Sequence, residues 1–361
     1  YSHINSNIHR AAHKLAREAT AAHEAARETI ATHLNCAHAH ELIFTSGTTD
    51  SINLVSNTLA LSGKISAGDK IIISALEHHA NIVPWQMLCQ RTGASLEIIP
   101  IHEDGTFDME AYQGMLDESV KLVSISHVSN ALGTVNPVST IISMAKQHDA
   151  LVLVDGAQAA PHFNIDVQEL NCDFYVFSGH KIYGPTGIGI LYGKEQILNE
   201  LPPWRGGGEM IKEVTFEHTT YNDLPFKYEA GTPDIEGAIA MAAAIDYMNT
   251  IGMEKIAAHE SYLEQKTTAA LKEINGIKLY GTAPQKAAVV SFRIEGIHHY
   301  DLGTLLDQMG VAVRTGHHCC QPLMARYGIT GTVRASFAAY NTEQEVDAFI
   351  EALHKATRML S

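Results

Sequence analysis

Six short apolar runs, ELIFT, KIIIS, LEIIP, KLVSIS, ALVLVD and DFYVFS, punctuate residues 41–178, with helix-length stretches between most of them. Runs this continuous in Ile, Val, Leu and Phe read as strands buried on both faces. Strands alternating with helices require a parallel or mostly parallel sheet covered by helices on both sides. The fold class is therefore α/β, and ligands are expected at the carboxyl ends of the strands. Ahead of the first run, 8-IHRAAHKLAREATAAHEAARETIATHL-34 has the Ala, Glu, Arg and Lys content and the apolar spacing of one long helix.

The rhythm breaks at the Pro/Gly-rich loop 202-PPWRGGGEMI-211. Helices are expected from about Asp234 to Ile251 and from Met253 to Ile274. A smaller unit follows, with strands near AAVVSFRI, VAVRT and TVRASF, a helix near YDLGTLLDQMG and a last helix from Thr342 to Leu360. The expected division is a large domain over 1–247 and a smaller C-terminal α+β domain over 248–361, and 361 residues suffice for two cores. A net charge of -15 excludes nucleic-acid binding through bulk electrostatics. Membrane spanning is excluded because no apolar run approaches the roughly 18 residues required. The five cysteines, at 36, 89, 172, 319 and 320, form no disulfide framework, which predicts a reducing, cytoplasmic compartment.

Lys181 follows directly on the apolar strand in 173-DFYVFSGHKIYGPTGIGILYG-193. Burying an ammonium is costly, so such a lysine is either a surface residue of the turn or an amine tuned for covalent chemistry. Asp155 closes the strand in 150-ALVLVDGAQAAPH-162, as a helix N-cap or as a carboxylate facing a ring nitrogen, with Gln158 a turn further on. The turn in 44-FTSGTTDSINLV-55 offers Thr48, Thr49 and free N–H groups to a phosphate, or is an ordinary cap. In 77-EHHANIVPW-85, His78 follows a strand and either stacks on a ring or faces solvent. A phosphate turn, a flat imidazole, an aspartate and a lysine, in this order and at successive strand ends, together fit pyridoxal 5'-phosphate (PLP), with Lys181 forming the Schiff base.

These motifs, with VSNALGTVNPV, AGTPD, RTGHHC and VRASFAAYNT, resemble the fold-type I PLP enzymes of the class V aminotransferase family, and within it the SUF-type cysteine desulfurases. The likeness runs from about Ile8 to the C-terminus. It implies that Lys181 carries the cofactor and moves the substrate's Cα proton. His78 would stack on the ring, while Asp155 and Gln158 would hold its nitrogen and phenolic oxygen. Thr49, Ser178 and His180, beside Thr48, would bind the phosphate, with Gly231 and Thr232 reaching in from the partner of a homodimer. Asn130, Arg314 and Arg334 would form the substrate side, Arg334 gripping the α-carboxylate. Cys319 would take sulfur from L-cysteine as a persulfide, release L-alanine, and feed a SufE- or SufU-like acceptor in iron–sulfur cluster assembly. The alternatives are a selenocysteine lyase, another class V enzyme, or a catalytically silent sulfur-transfer scaffold.

The resemblance also implies a further segment ahead of Tyr1, with a Leu-Asp-Asn-Ala-Ala-like stretch near the active site, so a truncated or processed chain is expected. The family's His-Arg-Gly-x-His reads 9-HRAAH-13 here, and Ala11 would cost about 1 kcal/mol if that backbone needs a positive φ.

Two histidines stand beside two cysteines in 314-RTGHHCCQPLM-324. No metal is expected there, because consecutive ligands lack a second Cys/His pair at zinc-site spacing. Neighbouring Cα atoms about 3.8 Å apart also fall short of disulfide range. Read as extended chain, adjacent side chains alternate, so one thiol alone should face the cofactor. The resemblance picks Cys319 and leaves Cys320 as a buried packer, or alternatively as a second sulfur acceptor. A thiolate must attack, and Arg314, His317 and His318 are the nearby groups expected to favour it.

Overall fold

The computed structural model describes residues 4–9 and 12–360. The question about Ala11, and Arg10 beside it, therefore lies outside the described residues. Among the described residues the main sheet contains β1 (Leu42–Thr45), β2 (Lys70–Ser74), β3 (Ser95–Ile99), β4 (Val120–Ser126), β5 (Leu151–Asp155), β6 (Phe174–Ser178) and β7 (Gly189–Gly193). Their spatial order is β1-β7-β6-β5-β4-β2-β3, parallel except that β7 runs against both β6 and β1. The apolar runs are continuous because both faces are covered. In β6, Phe174 and Val176 enter one core while Tyr175 and Phe177 enter the other. Each such side chain contributes about 1.5–3 kcal/mol by leaving water.

Helices α1 (Lys14–His33), α4 (Met109–Met115), α5 (Val138–Lys146), α6 (Val167–Leu170) and α8 (Ile235–Ile251) supply side chains to the Tyr175 face. Helices α2 (Thr48–Ser62), α3 (Val83–Thr92) and α7 (Glu195–Glu200) cover the Phe174 face. The first helix starts at Lys14 rather than near residue 8, because the His13 side chain caps it by accepting the Ala16 N–H. A buried ion pair fixes α1 to the sheet. Arg27 donates to both carboxylate oxygens of Glu229, at 2.8 and 2.9 Å, and to the Leu42 carbonyl, while Glu229 accepts the Phe44 N–H.

The second sheet is antiparallel, in order β10-β11-β13-β12, formed by β10 (Ile277–Tyr280), β11 (Val289–Ile294), β12 (Arg314–Gly316) and β13 (Thr332–Ser336). Helices α9 (Met253–Lys272), α10 (His299–Gln308) and α12 (Glu343–Leu360) close its core, and the short α11 (Gln321–Arg326) leads away from the Cys-Cys pair. Three strands were not legible in the sequence: β10, and the exposed hairpin of β8 (Ile211–Val214) and β9 (Thr219–Tyr221). The VAVRT strand shortens to Arg314–Gly316. Among the described residues no helix is long and apolar enough to cross a membrane.

Candidate active site

A cavity of about 140 Å³ opens at the carboxyl ends of the parallel strands and is lined by Thr48, Thr49, His78, Asn130, Asp155, Gln158, Ser178, His180 and Lys181. The strand ends share one rim, and β5 and β6 are adjacent in the sheet, whereas β7 separates β1 from β6 and β4 separates β5 from β2. Lys181 ends the one-turn helix that follows β6, and its Nζ donates to Gln158 Oε1 at 2.6 Å. Burial and the charges of Arg334 and Arg314 pull this amine below its ordinary pKa, against the pull of Asp155. Asp155 does not cap a helix; its Oδ1 accepts the Ala157 N–H at 2.9 Å. Burial pushes its carboxyl up to about 6, despite that hydrogen bond and the lysine's charge.

His78 accepts the Ala80 N–H on Nδ1 at 3.0 Å, which fixes the neutral tautomer with its proton on Nε2. Burial, with the charges of Lys181, His79 and Arg314, holds it down to about 4. At the start of α2, Ser178 Oγ lies 2.8 Å from both the Thr48 N–H and its hydroxyl. Thr48 is therefore buried and engaged, while Thr49 and His180 stand exposed at the mouth.

The Cys-Cys segment is not extended. His318 and Cys319 adopt left-handed φ values of 52° and 59°. The alternation expected of extended chain therefore does not apply, and a left-handed kink separates the two thiols. Cys319 is half-buried, and Arg314 Nη2 lies 3.4 Å from its Sγ. Cys320 is fully buried, its thiol donates to Asn130 Oδ1 at 3.1 Å, and burial pushes it up to about 12.

Of the three groups expected to favour a thiolate, the guanidinium of Arg314 reaches the sulfur. His318 turns inward to Thr332 Oγ1 at 2.8 Å and is held neutral, at about 3, by burial and the nearby arginines. His317 accepts the Cys319 N–H on Nδ1 at 3.0 Å, so that nitrogen carries no proton. Asn130, expected at the substrate, lines the cavity and also holds this loop: Nδ2 donates to the His318 carbonyl at 2.7 Å while Oδ1 accepts from Cys320. Arg334 lies beside Arg314 across the β12–β13 pair and donates Nη1 to the Asn130 carbonyl at 2.7 Å.

Comparison with known proteins joins these parts. Residues 1–349 match the family model described as Aminotransferase class-V. The chain belongs to the class V aminotransferase family. A relative named cysteine desulfurase, from Salmonella agona (strain SL483), is 50% identical over 361 residues, covering 100% of this chain and 88% of its own. The crystal structure of the cysteine desulfurase CsdA (S-sulfonic acid) from Escherichia coli superposes with a TM-score of 0.92 at 39% identity, over 99% of this chain and 88% of that one. The apo cysteine desulfurase from Thermococcus onnurineus NA1 gives 0.95 at 38% identity, over 99% of this chain and 89% of that one.

In this class V chain, Gly231 and Thr232 do not line the Lys181 cavity. They line a separate cleft of about 900 Å³ with Ile4–Ile8 and residues of α8. Three residues at the site escaped the sequence reading. Ser126, at the end of β4, lines the cavity and pairs in register with Asp155. Glu77 is fully buried and accepts hydrogen bonds from Ser74, Asn81 and the Ser126 N–H, which oppose the burial that pushes it up to about 7. Three converging donors favour the ionised form, so we read Glu77 as a satisfied carboxylate that props the turn carrying His78. His79 contacts the Cys319 loop. The EHH triplet was the available signal for both Glu77 and His79.

Proposed function

We propose that this chain is a PLP-dependent cysteine desulfurase, which converts L-cysteine to L-alanine and keeps the sulfur as a persulfide on Cys319. The observation that carries the reading is that a half-buried lysine and an arginine-paired thiol are tied to the same cavity wall. The Cys319 loop is bonded to Asn130, which lines the cavity, and to His79, which follows His78. An aminotransferase needs no thiol there. The residues fit PLP. Among the described residues Asp155 has a neutral N–H as its hydrogen-bond donor, so a protonated ring nitrogen offsets the cost of burying its charge. When bound, PLP supplies an electron sink for the charge left by removal of the Cα proton.

Lys181 would hold the cofactor and carry the Cα proton, a role suited to an amine pulled below its ordinary pKa. His78, neutral and fixed by Ala80, would lie against the ring, and Gln158 would bond the phenolic oxygen. Thr49, His180 and the start of α2, with Thr48 and Ser178 behind them, would take the phosphate. Gly231 and Thr232 would act across a homodimer interface. Arg334 would grip the substrate carboxylate, since its Nε has no hydrogen-bond partner among the described residues and is an open donor. Arg314 would favour the Cys319 thiolate.

That thiolate attacks the substrate sulfur, forming an S–S bond as the Cβ–S bond breaks. The electron pair of the broken bond stays with carbon, which takes up a proton and becomes the methyl group of alanine. A SufE- or SufU-like thiol would then remove the outer sulfur for iron–sulfur cluster assembly in the cytoplasm, where five free cysteines are at home. The division near residue 248 is kept as a proposal, supported by α8 packing on α1 and α9 packing on α12 and β11. Purified protein should show the visible absorbance of lysine-bound PLP and release alanine from L-cysteine and, with a reductant, sulfide. Protein that binds PLP but forms neither product would leave the silent-scaffold reading standing.

A further inference from the structure

We infer that His79 is a positioning residue for the nucleophile, clamping the Cys319 loop to the strand end that carries His78. The inference rests on the desulfurase reading of Cys319. Two bonds run from this one residue to the backbone at Cys319 and just beyond it. The His79 N–H donates to the Cys319 carbonyl at 2.8 Å, and His79 Nε2 accepts the Gln321 N–H at 3.1 Å. On the far side, the Cys319 N–H reaches His317 Nδ1 at 3.0 Å, and the His317 ring lies 5.6 Å from that of His79.

The clamp has a physical purpose. Left-handed backbone is unfavourable for an L-residue, and His318 and Cys319 both adopt it in succession. Such a conformation persists only where its surroundings over-determine it. The interior side of the loop is held by Asn130, through the His318 carbonyl and the Cys320 thiol. His79 supplies the matching hold on the exposed side. Gln321 begins α11, so its N–H has no acceptor within that helix, and the imidazole provides one. Because Nε2 accepts, the His79 proton sits on Nδ1. Burial and the neighbouring His317 keep the ring below the ordinary histidine pKa, in that neutral, accepting form.

The test compares wild-type holoenzyme with His79→Leu, which cannot accept a hydrogen bond, and His79→Gln, which can. Three readouts are taken: persulfide formed on Cys319 in a single turnover with L-cysteine, alkylation of Cys319 by iodoacetamide, and solvent-deuterium exchange at the Cα of L-alanine. His79→Leu should slow persulfide formation by about 10–100-fold, the scale of a small misplacement of a reacting group, and speed alkylation. It should leave Cα exchange at the wild-type rate, since that step belongs to Lys181. His79→Gln should recover most of the persulfide rate. The inference is overturned if His79→Leu persulfidates at the wild-type rate, if it loses exchange and persulfide together, or if Gln does not rescue. Wild-type enzyme that forms no Cys319 persulfide would instead bring down the desulfurase reading, and the clamp with it.

Discussion

Lys181 stands one turn beyond a strand whose five residues are all buried, whereas Cys319 sits in a loop with two successive left-handed residues. The first position is set by the sheet, since the hydrophobic packing that fixes β6 also fixes where its end points. The second is set by a few hydrogen bonds, those of Asn130 and His79 from distant parts of the chain and that of Arg314 from the preceding strand. Rigid placement suits a group that moves a proton at one fixed atom. A loop suits a thiol that must accept sulfur inside the cavity and give it up outside.

The widest separation between the two regions comes from removing each reactive group. Lys181→Ala should abolish both Cα exchange and persulfide formation, a loss of at least about 10²–10⁴-fold, the range for a positioned acid–base group. Cys319→Ala should abolish the persulfide while Cα exchange in L-alanine, followed by NMR, continues. Equal loss of exchange in both variants would break the division of labour.

The sheet-borne half depends on its anchoring. Arg27→Ala leaves Glu229 buried without its cation, so stability should fall by about 3–5 kcal/mol in denaturant unfolding. A change within experimental error would mean that α1 does not brace β1.

Asp155 gives a prediction of opposite sign. Its folded pKa, about 6, lies above the ordinary 3.8. Between these values the folded protein keeps a proton that the unfolded chain has released, so stability falls as pH rises through that window and the full cost remains above it. Asp155→Asn should therefore stabilise cofactor-stripped protein at pH 8 by on the order of 3 kcal/mol, and not at pH 3, while weakening PLP binding. Thermal melts at the two pH values check the sign.

The smallest effect belongs to Cys320. Cys320→Ala removes one S–H···O bond and a small packed volume, and should cost about 1 kcal/mol with turnover retained. Loss of sulfur transfer in that variant would revive Cys320 as a second acceptor.

The same contrast explains what the sequence could show. The rim residues were legible because both-face burial writes itself as uninterrupted apolar runs, and Thr48, His78, Asp155 and Lys181 each sit just where such a run stops. The β8–β9 hairpin has no buried face, so its strands carry no pattern to read. The loop failed for a different reason. Positive φ at His318 and Cys319 has no periodic signature, and the residues that hold it, Asn130 and His79, are far away in the chain. The hold that Asn130 and His79 have on this loop therefore leaves no mark in the sequence, although each stands within a motif.

The central claim is that one thiol of the adjacent pair works while the other is locked inside. Its most direct test is peptide mass spectrometry after turnover with L-cysteine in the absence of reductant. The account predicts the added mass of sulfur on Cys319 and none on Cys320. Sulfur on Cys320, or on neither cysteine, would contradict it.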